Sequence, residues 1–192
     1  MKIAVVQMDI TAGNVQENIA RADALISTHP GADVYVLPEM FSTGFDMNPM
    51  DVAEPQQGAS YQWMRAKAAE MNAAITGSVA TAVELFAFTN RMYFVEPDGK
   101  ATVYDKRHLF SYSGEDRHYE AGKERVIVTY RDVRFLLEVC YDLRFPTYSR
   151  NVPREEGGYD CALYVASWPT PRVEAWRTLL PARAIENQCF VL

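Results

Sequence analysis

The stretch from Lys2 to Leu37 carries an apolar run, an amphipathic segment and a second apolar run, an order that few folds accommodate. Lys2 to Met8 reads as a first strand, apolar enough to be central in a sheet. Asn14 with Glu17 three residues later has capping-box chemistry. Val15, Ile19, Ala22 and Ile26 then keep one helix face apolar up to the break at His29-Pro30-Gly31. Asp33 to Leu37 is the second strand, and such a β-α-β unit is expected to be parallel with a right-handed crossover. Trp63, Met64, Ala68 and Met71 mark a second amphipathic helix before a strand over 74–79. Residues 91–95 with 101–104, and 126–130 with 133–139, read as hairpins closed by Glu96-Pro97-Asp98-Gly99-Lys100 and by Arg131-Asp132. A strand over 161–166 follows, then a helix from near Pro171 to about Gln188 that Pro181 must kink or restart. Cys189 to Leu192 begins a last strand. Alternating β-α-β units plus hairpins predict sheets covered by helices, an α/β domain.

At 192 residues, 48% hydrophobic and 23% charged, the chain suits one globular domain with a substantial core. Its net charge of −6 argues against nucleic acid as a partner, because nonspecific binding needs a basic face. No apolar stretch approaches the length of a membrane span, and the first residues lack the layout of a signal peptide. No membrane partner and a cytoplasmic location are therefore expected. Cys140, Cys161 and Cys189 are an odd number without a C-x-x-C pair, which predicts neither a disulfide framework nor a zinc knuckle. Cys161 and Cys189 open apolar runs and read as core residues. His29, His108 and His118 lack metal-ligand spacing, so no metal or other cofactor is expected.

Four polar residues stand at positions that suit chemistry. Residues 133–139 read as a buried strand, and Pro146 predicts that it stops. Cys140 is then presented at the carboxyl edge of a sheet, where α/β proteins bind small molecules, with the Tyr141 N–H free to face a ligand. The plainer alternative is a small buried hydrophobe, a common role for a free cysteine. Val34 to Phe45 contains another short strand that ends at Pro38 and presents Glu39. Val103 to Phe110 contains a strand ending with Lys106, and Gly114 to Gly122 is a polar loop carrying Glu115. Taken singly, Glu39 could be a solvated cap, Lys106-Arg107-His108 a basic turn, and Glu115 a loop charge.

In combination these segments resemble the nitrilase superfamily of carbon–nitrogen hydrolases. The residues that carry the likeness are 37–45 (LPEMFSTGF), 104–110 (YDKRHLF), 140–146 (CYDLRFP), 166–169 (ASWP) and 180–188 (LPARAIENQ). Their wording is closest to the ω-amidase-like branch, and the likeness runs the length of the chain. It implies a four-layer α-β-β-α sandwich, a single domain over 1–192, and a homodimer or larger assembly formed through the outer helices. A family member would continue past Leu192 with several more strands, so a C-terminal truncation is expected.

The resemblance also implies a chemistry: a small linear amide hydrolysed to a carboxylic acid and ammonia through a thioester on Cys140. An amide is a poor electrophile, so the reaction needs a strong nucleophile, a proton for the leaving nitrogen and oxyanion stabilisation. Glu39 is the candidate base. Lys106 holds its carboxylate partner and lies near the oxyanion, with the Tyr141 N–H as second donor. Glu115 matches the family's second glutamate and would orient Lys106 and the substrate amide. The ω-amidase likeness implies 2-oxo acid ω-amides such as 2-oxoglutaramate and 2-oxosuccinamate. Their carboxylate calls for a cationic clamp, with Arg144 and Arg117 as candidates, and Phe41, Phe110, Tyr141 and Trp168 could wall the pocket. Arg144 could instead form a salt bridge with Asp142 or Glu138, and Trp168 could simply pack. Three rivals stay open: a cysteine hydrolase with His108 as base, hydrolysis of nitriles or other amides, and a catalytically silent scaffold.

Overall fold

The computed structural model describes residues 1–192. In chain order the elements are β1 (Ile3–Val5), α1 (Val15–Thr28), β2 (Val34–Val36), α2 (Pro49–Val52), β3 (Glu54–Pro55), α3 (Ala59–Met71), β4 (Ala74–Glu84), β5 (Ala87–Val95), β6 (Ala101–Asp105), β7 (Ile127–Tyr130), β8 (Val133–Val139), β9 (Cys161–Val165), α4 (Val173–Asn187) and β10 (Phe190–Val191). One sheet runs β1-β2-β4-β5-β6, with β3 paired to β4; the other runs β10-β9-β8-β7.

Side-chain alternation along the strands sorts the apolar residues into layers. Val34, Val36, Met92, Phe94 and Tyr104 from the first sheet meet Val128, Phe135, Leu137, Val139, Leu163 and Val165 from the second in one buried cluster. Phe94 packs across this interface on Phe135, at 5.7 Å between ring centroids. On the opposite face of the first sheet, Tyr35, Ile75, Tyr93 and Val95 pack under Ala22 and Ile26 of α1 and Met64 and Ala68 of α3. On the outer face of the second sheet, Leu136, Ala162 and Tyr164 pack under Trp176, Leu179 and Leu180 of α4. The layers are therefore α-β-β-α. No helix is long and apolar enough to cross a membrane.

The local chemistry matches the sequence in several places. Asn14 caps α1 by accepting the Glu17 N–H, and its amide reaches the Glu17 carboxylate in return. The β1–α1–β2 unit is parallel. Arg131 and Asp132 both take positive φ (47° and 65°), as a two-residue hairpin turn requires.

Other expectations need correction. β1 is three residues long and lies at the edge of its sheet, not at the centre, and Val5 is exposed. β4 and β5 extend well beyond 74–79 and 91–95 into one long hairpin with a register shift between Ala82 and Glu84. Their polar residues Thr81, Glu84, Thr89 and Asn90 had hidden those extensions. α4 is continuous through Pro181. The missing N–H falls opposite Arg177, an exposed residue, so the carbonyl that loses its donor lies near water. β8 stops at Val139 because Cys140 turns to φ 47°, six residues before Pro146.

One buried carboxylate lacks a partner on both oxygens. Glu138 faces outward from β8 beneath α4, fully buried, and neither carboxylate oxygen has a hydrogen-bond partner. Burial, with the charge of Asp142 added, pushes its pKa well above the usual carboxylate range, against the pull of Arg125 and Arg183. A carboxyl that stays protonated in the fold but ionises when unfolded lowers stability as pH rises above the unfolded value of about 4.3. Glu138→Gln removes this penalty. Its gain in melting temperature over the parent is expected to be larger at pH 8 than at pH 5, measured by calorimetry; a gain that does not grow with pH would count against it.

Candidate active site

Two strand exits and one loop carry the polar residues to a common point. After β2 the chain is pinned to β4: the Leu37 N–H donates to the Thr76 carbonyl at 2.7 Å, and the Met40 N–H donates to Ser78 Oγ at 2.9 Å. Pro38 cannot extend the ladder and Met40 takes φ 46°, so the chain turns sharply and Glu39 points inward, fully buried. Lys106 follows the last residue of β6. Its backbone N–H donates to the Asn90 carbonyl at 2.9 Å, and its carbonyl accepts from the Gly122 N–H at 2.9 Å. Gly122 lies so close that a Cβ there would overlap the Asp105 carbonyl, and so only glycine lets the 107–121 loop close against β6. Within that loop Glu115 is also fully buried and accepts the Phe110 N–H at 2.6 Å.

The three charges meet. Lys106 Nζ donates to Glu39 Oε1 at 2.8 Å and to Glu115 Oε2 at 2.9 Å and Oε1 at 3.1 Å. Asn90 Nδ2 donates to Glu39 Oε1 at 2.8 Å and to Glu115 Oε1 at 3.2 Å, and the Ser167 N–H donates to Glu39 Oε2 at 2.9 Å. Burial disfavours the Lys106 ammonium, but the two carboxylates outweigh it and hold its pKa above the ordinary lysine value. For Glu115 burial is the larger effect and pushes the pKa up, against the attraction of Lys106.

Cys140 opens a tight 3-10 turn over Cys140–Arg144 that leaves β8 at the same end of the sandwich. A non-glycine residue at φ 47° is uncommon and must be held there. Asp142 does the holding. Its Oδ2 accepts the Val139 N–H (2.9 Å) and the Tyr104 hydroxyl (2.8 Å), while Oδ1 accepts the His108 N–H (2.9 Å) and faces His108 Nδ1 (2.8 Å). The turn that carries Cys140 is thus tied to β6 and to the segment just after Lys106. Burial raises the Cys140 thiol well above its usual pKa, and the charge of Glu39 raises it further against Lys106, so the thiol is neutral near pH 7.

Glu39, Lys106 and Cys140 line one cavity of about 220 Å³ together with Phe45, Phe110, Ser113, Tyr141, Arg144, Ser167, Trp168, Pro169 and Arg172. A larger groove of about 700 Å³ runs beside β1 and α4, but Arg177 is its only charged lining residue and it holds no thiol. Glu115 sits behind Lys106 and is no free loop charge. Tyr141, Phe110, Trp168 and Arg144 reach the cavity as expected. Phe41 does not: it is buried against Trp63 in the helix-facing core, and Phe45 supplies the wall, 5.3 Å from Lys106 Nζ. Arg117 is exposed on the loop and outside the cavity, where Arg172 stands in its place. Arg144 makes no salt bridge with Asp142 or Glu138; its guanidinium lies 5.3 Å over the Trp168 ring. His108 lies outside the cavity, stacked on Phe145 at 3.8 Å. Asn90 was missed, although a polar amide in the middle of β5 is an unfavourable strand residue and was a signal.

Asp142→Asn leaves one oxygen where two serve four donors. It is expected to cost about 1–3 kcal/mol of stability for each donor left unmatched. A fall in kcat larger than any rise in KM should accompany that loss, measured by urea unfolding and steady-state kinetics. A variant with parental stability and kcat would show that the latch does not matter.

A sequence model of the family described as carbon–nitrogen hydrolase matches residues 2–192. The chain is 47% identical to an ω-amidase from Yersinia enterocolitica over 191 residues, all of this chain and 72% of the relative. It is 37% identical to a 2-oxoglutaramate amidase from Bacillus subtilis, covering 98% of this chain and 73% of the relative. Among solved structures, a carbon–nitrogen hydrolase superfamily protein from Xanthomonas campestris, with an arsenic adduct in its active site, superposes with a TM-score of 0.95 at 42% identity. That match covers all of this chain and 74% of the other.

Proposed function

The chain belongs to the carbon–nitrogen hydrolase family, and on that premise we propose that it hydrolyses small linear ω-amides of 2-oxo acids, such as 2-oxoglutaramate, to the carboxylic acid and ammonia. The observation that carries this reading is a fully buried ammonium, clamped between two buried carboxylates, that lines one cavity with the Cys140 thiol. The names of the similar ω-amidase and 2-oxoglutaramate amidase support the substrate class.

In this reading Cys140 Sγ attacks the amide carbon while Glu39 takes the thiol proton. A neutral thiol needs that base, because the thiolate is the nucleophile. The carbonyl oxygen gains negative charge and is met by Lys106 Nζ and by the Tyr141 N–H, which belongs to the first turn after β8. An ammonium has three N–H bonds; Glu39 takes one and the two Glu115 oxygens share another, which leaves one for the oxyanion. Removing one such donor raises a barrier by about 3 kcal/mol. Glu39 then gives its proton to the amide nitrogen, the C–N bond breaks and ammonia leaves a thioester on Cys140. Water activated by Glu39 cleaves the thioester, and the acid departs. Glu115 keeps Lys106 oriented throughout. The family resemblance also supports a homodimer or larger assembly.

Glu39→Gln is expected to lower kcat by about 10²–10⁴-fold, the usual span for losing a general base. His108→Ala should retain substantial turnover, since His108 faces Asp142 and not the cavity. Mass spectrometry of the parent mixed with an amide substrate should find an acyl adduct on Cys140 together with released ammonia. Activity that survives Glu39→Gln but vanishes in His108→Ala, or no adduct and no ammonia, would overturn the proposal.

A further inference from the structure

We propose that Asn90 is a positioning residue of the reaction: its amide gives one N–H to Glu39 and one to Glu115, which frees a Lys106 hydrogen for the oxyanion and leaves Glu39 Oε2 to take the thiol proton. This assignment rests on the amidase reading above and adds the group that orders its base and its cation. Asn90 and Lys106 are neighbours across β5 and β6, since the Lys106 N–H donates to the Asn90 carbonyl at 2.9 Å and the adjoining pair is Arg91 opposite Asp105. Cross-strand neighbours present their side chains on one face. Asn90 Nδ2 and Lys106 Nζ therefore meet the same two oxygens. Nδ2 lies 2.8 Å from Glu39 Oε1 and 3.2 Å from Glu115 Oε1, while Nζ lies 2.8 Å and 3.1 Å from them. Two donors and two acceptors alternate around a closed ring that stands between the like-charged carboxylates.

The ring decides what each atom is free to do. Without Asn90, Lys106 alone would have to hold both Oε1 atoms and Glu115 Oε2, which calls on every hydrogen an ammonium has. With the Asn90 amide fixed on its strand, both carboxylates stay in place while one ammonium hydrogen turns to the developing oxyanion. Glu39 Oε1 already receives two N–H groups and Oε2 receives only the Ser167 N–H, so an incoming proton is taken at Oε2. The same Ser167 N–H also neighbours the Cys140 sulfur. The amide does not serve equally well reversed. Asn90 is fully buried and its Oδ1 has no partner. Turned over, that oxygen would face two carboxylate oxygens and both N–H groups would be the orphans, so one unpaired acceptor is the smaller cost. Asn90 does not line the cavity, and so it acts on a substrate only through its neighbours.

The test pairs Asn90→Ala with Asn90→Leu, which fills the volume of the amide without its donors and serves where the alanine variant folds poorly. With 2-oxoglutaramate as substrate, both are expected to lose about 10- to 100-fold in kcat, the range for a hydrogen bond to a charged group, with KM held within about threefold. Glu39 must be ionised to act as base, and losing a donor to it favours the protonated form. The acid limb of kcat/KM should therefore move to higher pH by about one unit. A second readout needs no turnover: alkylation of Cys140 by iodoacetamide, followed against pH by mass spectrometry, should show its acid limb move the same way. A folded variant with parental kcat and unmoved acid limbs, or a loss confined to KM, overturns the positioning role. Absence of ammonia from the parent, with the alkylation limb still moved in the variants, would instead overturn the amidase reading alone.

Discussion

A single buried ammonium holds this site together. Lys106 is fully buried, and a lone charge there would be expelled or neutralised. It is retained because Glu39 and Glu115 both lie within hydrogen-bond distance, because the Ser167 N–H satisfies the one carboxylate oxygen that Lys106 leaves, and because Asn90 donates to both carboxylates. Removing one partner of such a group typically costs about 3–5 kcal/mol, since the rest is left buried and unpaired. The residues around it are therefore constrained more by this network than by their own strands. β4 and β5 supply Ser78 and Asn90, the exit of β6 supplies Lys106, and the loop closed by Gly122 supplies Glu115.

The sandwich places the thiol against that network from the other sheet. Val139 belongs to the core between the sheets, so the chain leaves β8 at their shared edge. The Asp142 latch then fixes a turn that would otherwise relax from a positive φ. Because Asp142 bonds to Tyr104 and His108, the two sheets are registered to each other at the point where their side chains must cooperate. Layer packing brings the elements near, and polar bonds set the final positions.

The legible part of the sequence was the part written in local chemistry. The Asn14–Glu17 cap, the apolar run of β8 and the polar two-residue turn at Arg131-Asp132 each act within a few residues, and each appears where its chemistry put it. The convergence of Glu39, Lys106, Glu115 and Cys140 was legible only as a resemblance, since no local rule relates positions a hundred residues apart. What stayed hidden depends on long-range partners. Phe41 and Phe45 are four residues apart and both aromatic, yet the turn at Met40 sends one into the core and the other to the cavity. Arg117 and Arg172 look alike as isolated cations, and only the fold brings Arg172 to the mouth. The β4–β5 hairpin was underestimated because its polar residues face a buried network and not water.

Burial and the neighbouring charge of Glu39 outweigh the pull of Lys106 on the sulfur, so Cys140 rests as a neutral thiol. The direct test is the ultraviolet titration of Cys140, taken as the difference between the parent and Cys140→Ser. Thiolate absorbance that appears only above the ordinary cysteine value of about 8.5 is the expected result. A thiolate already present at neutral pH would contradict it, and would mean that the attraction of Lys106 outweighs burial and the charge of Glu39.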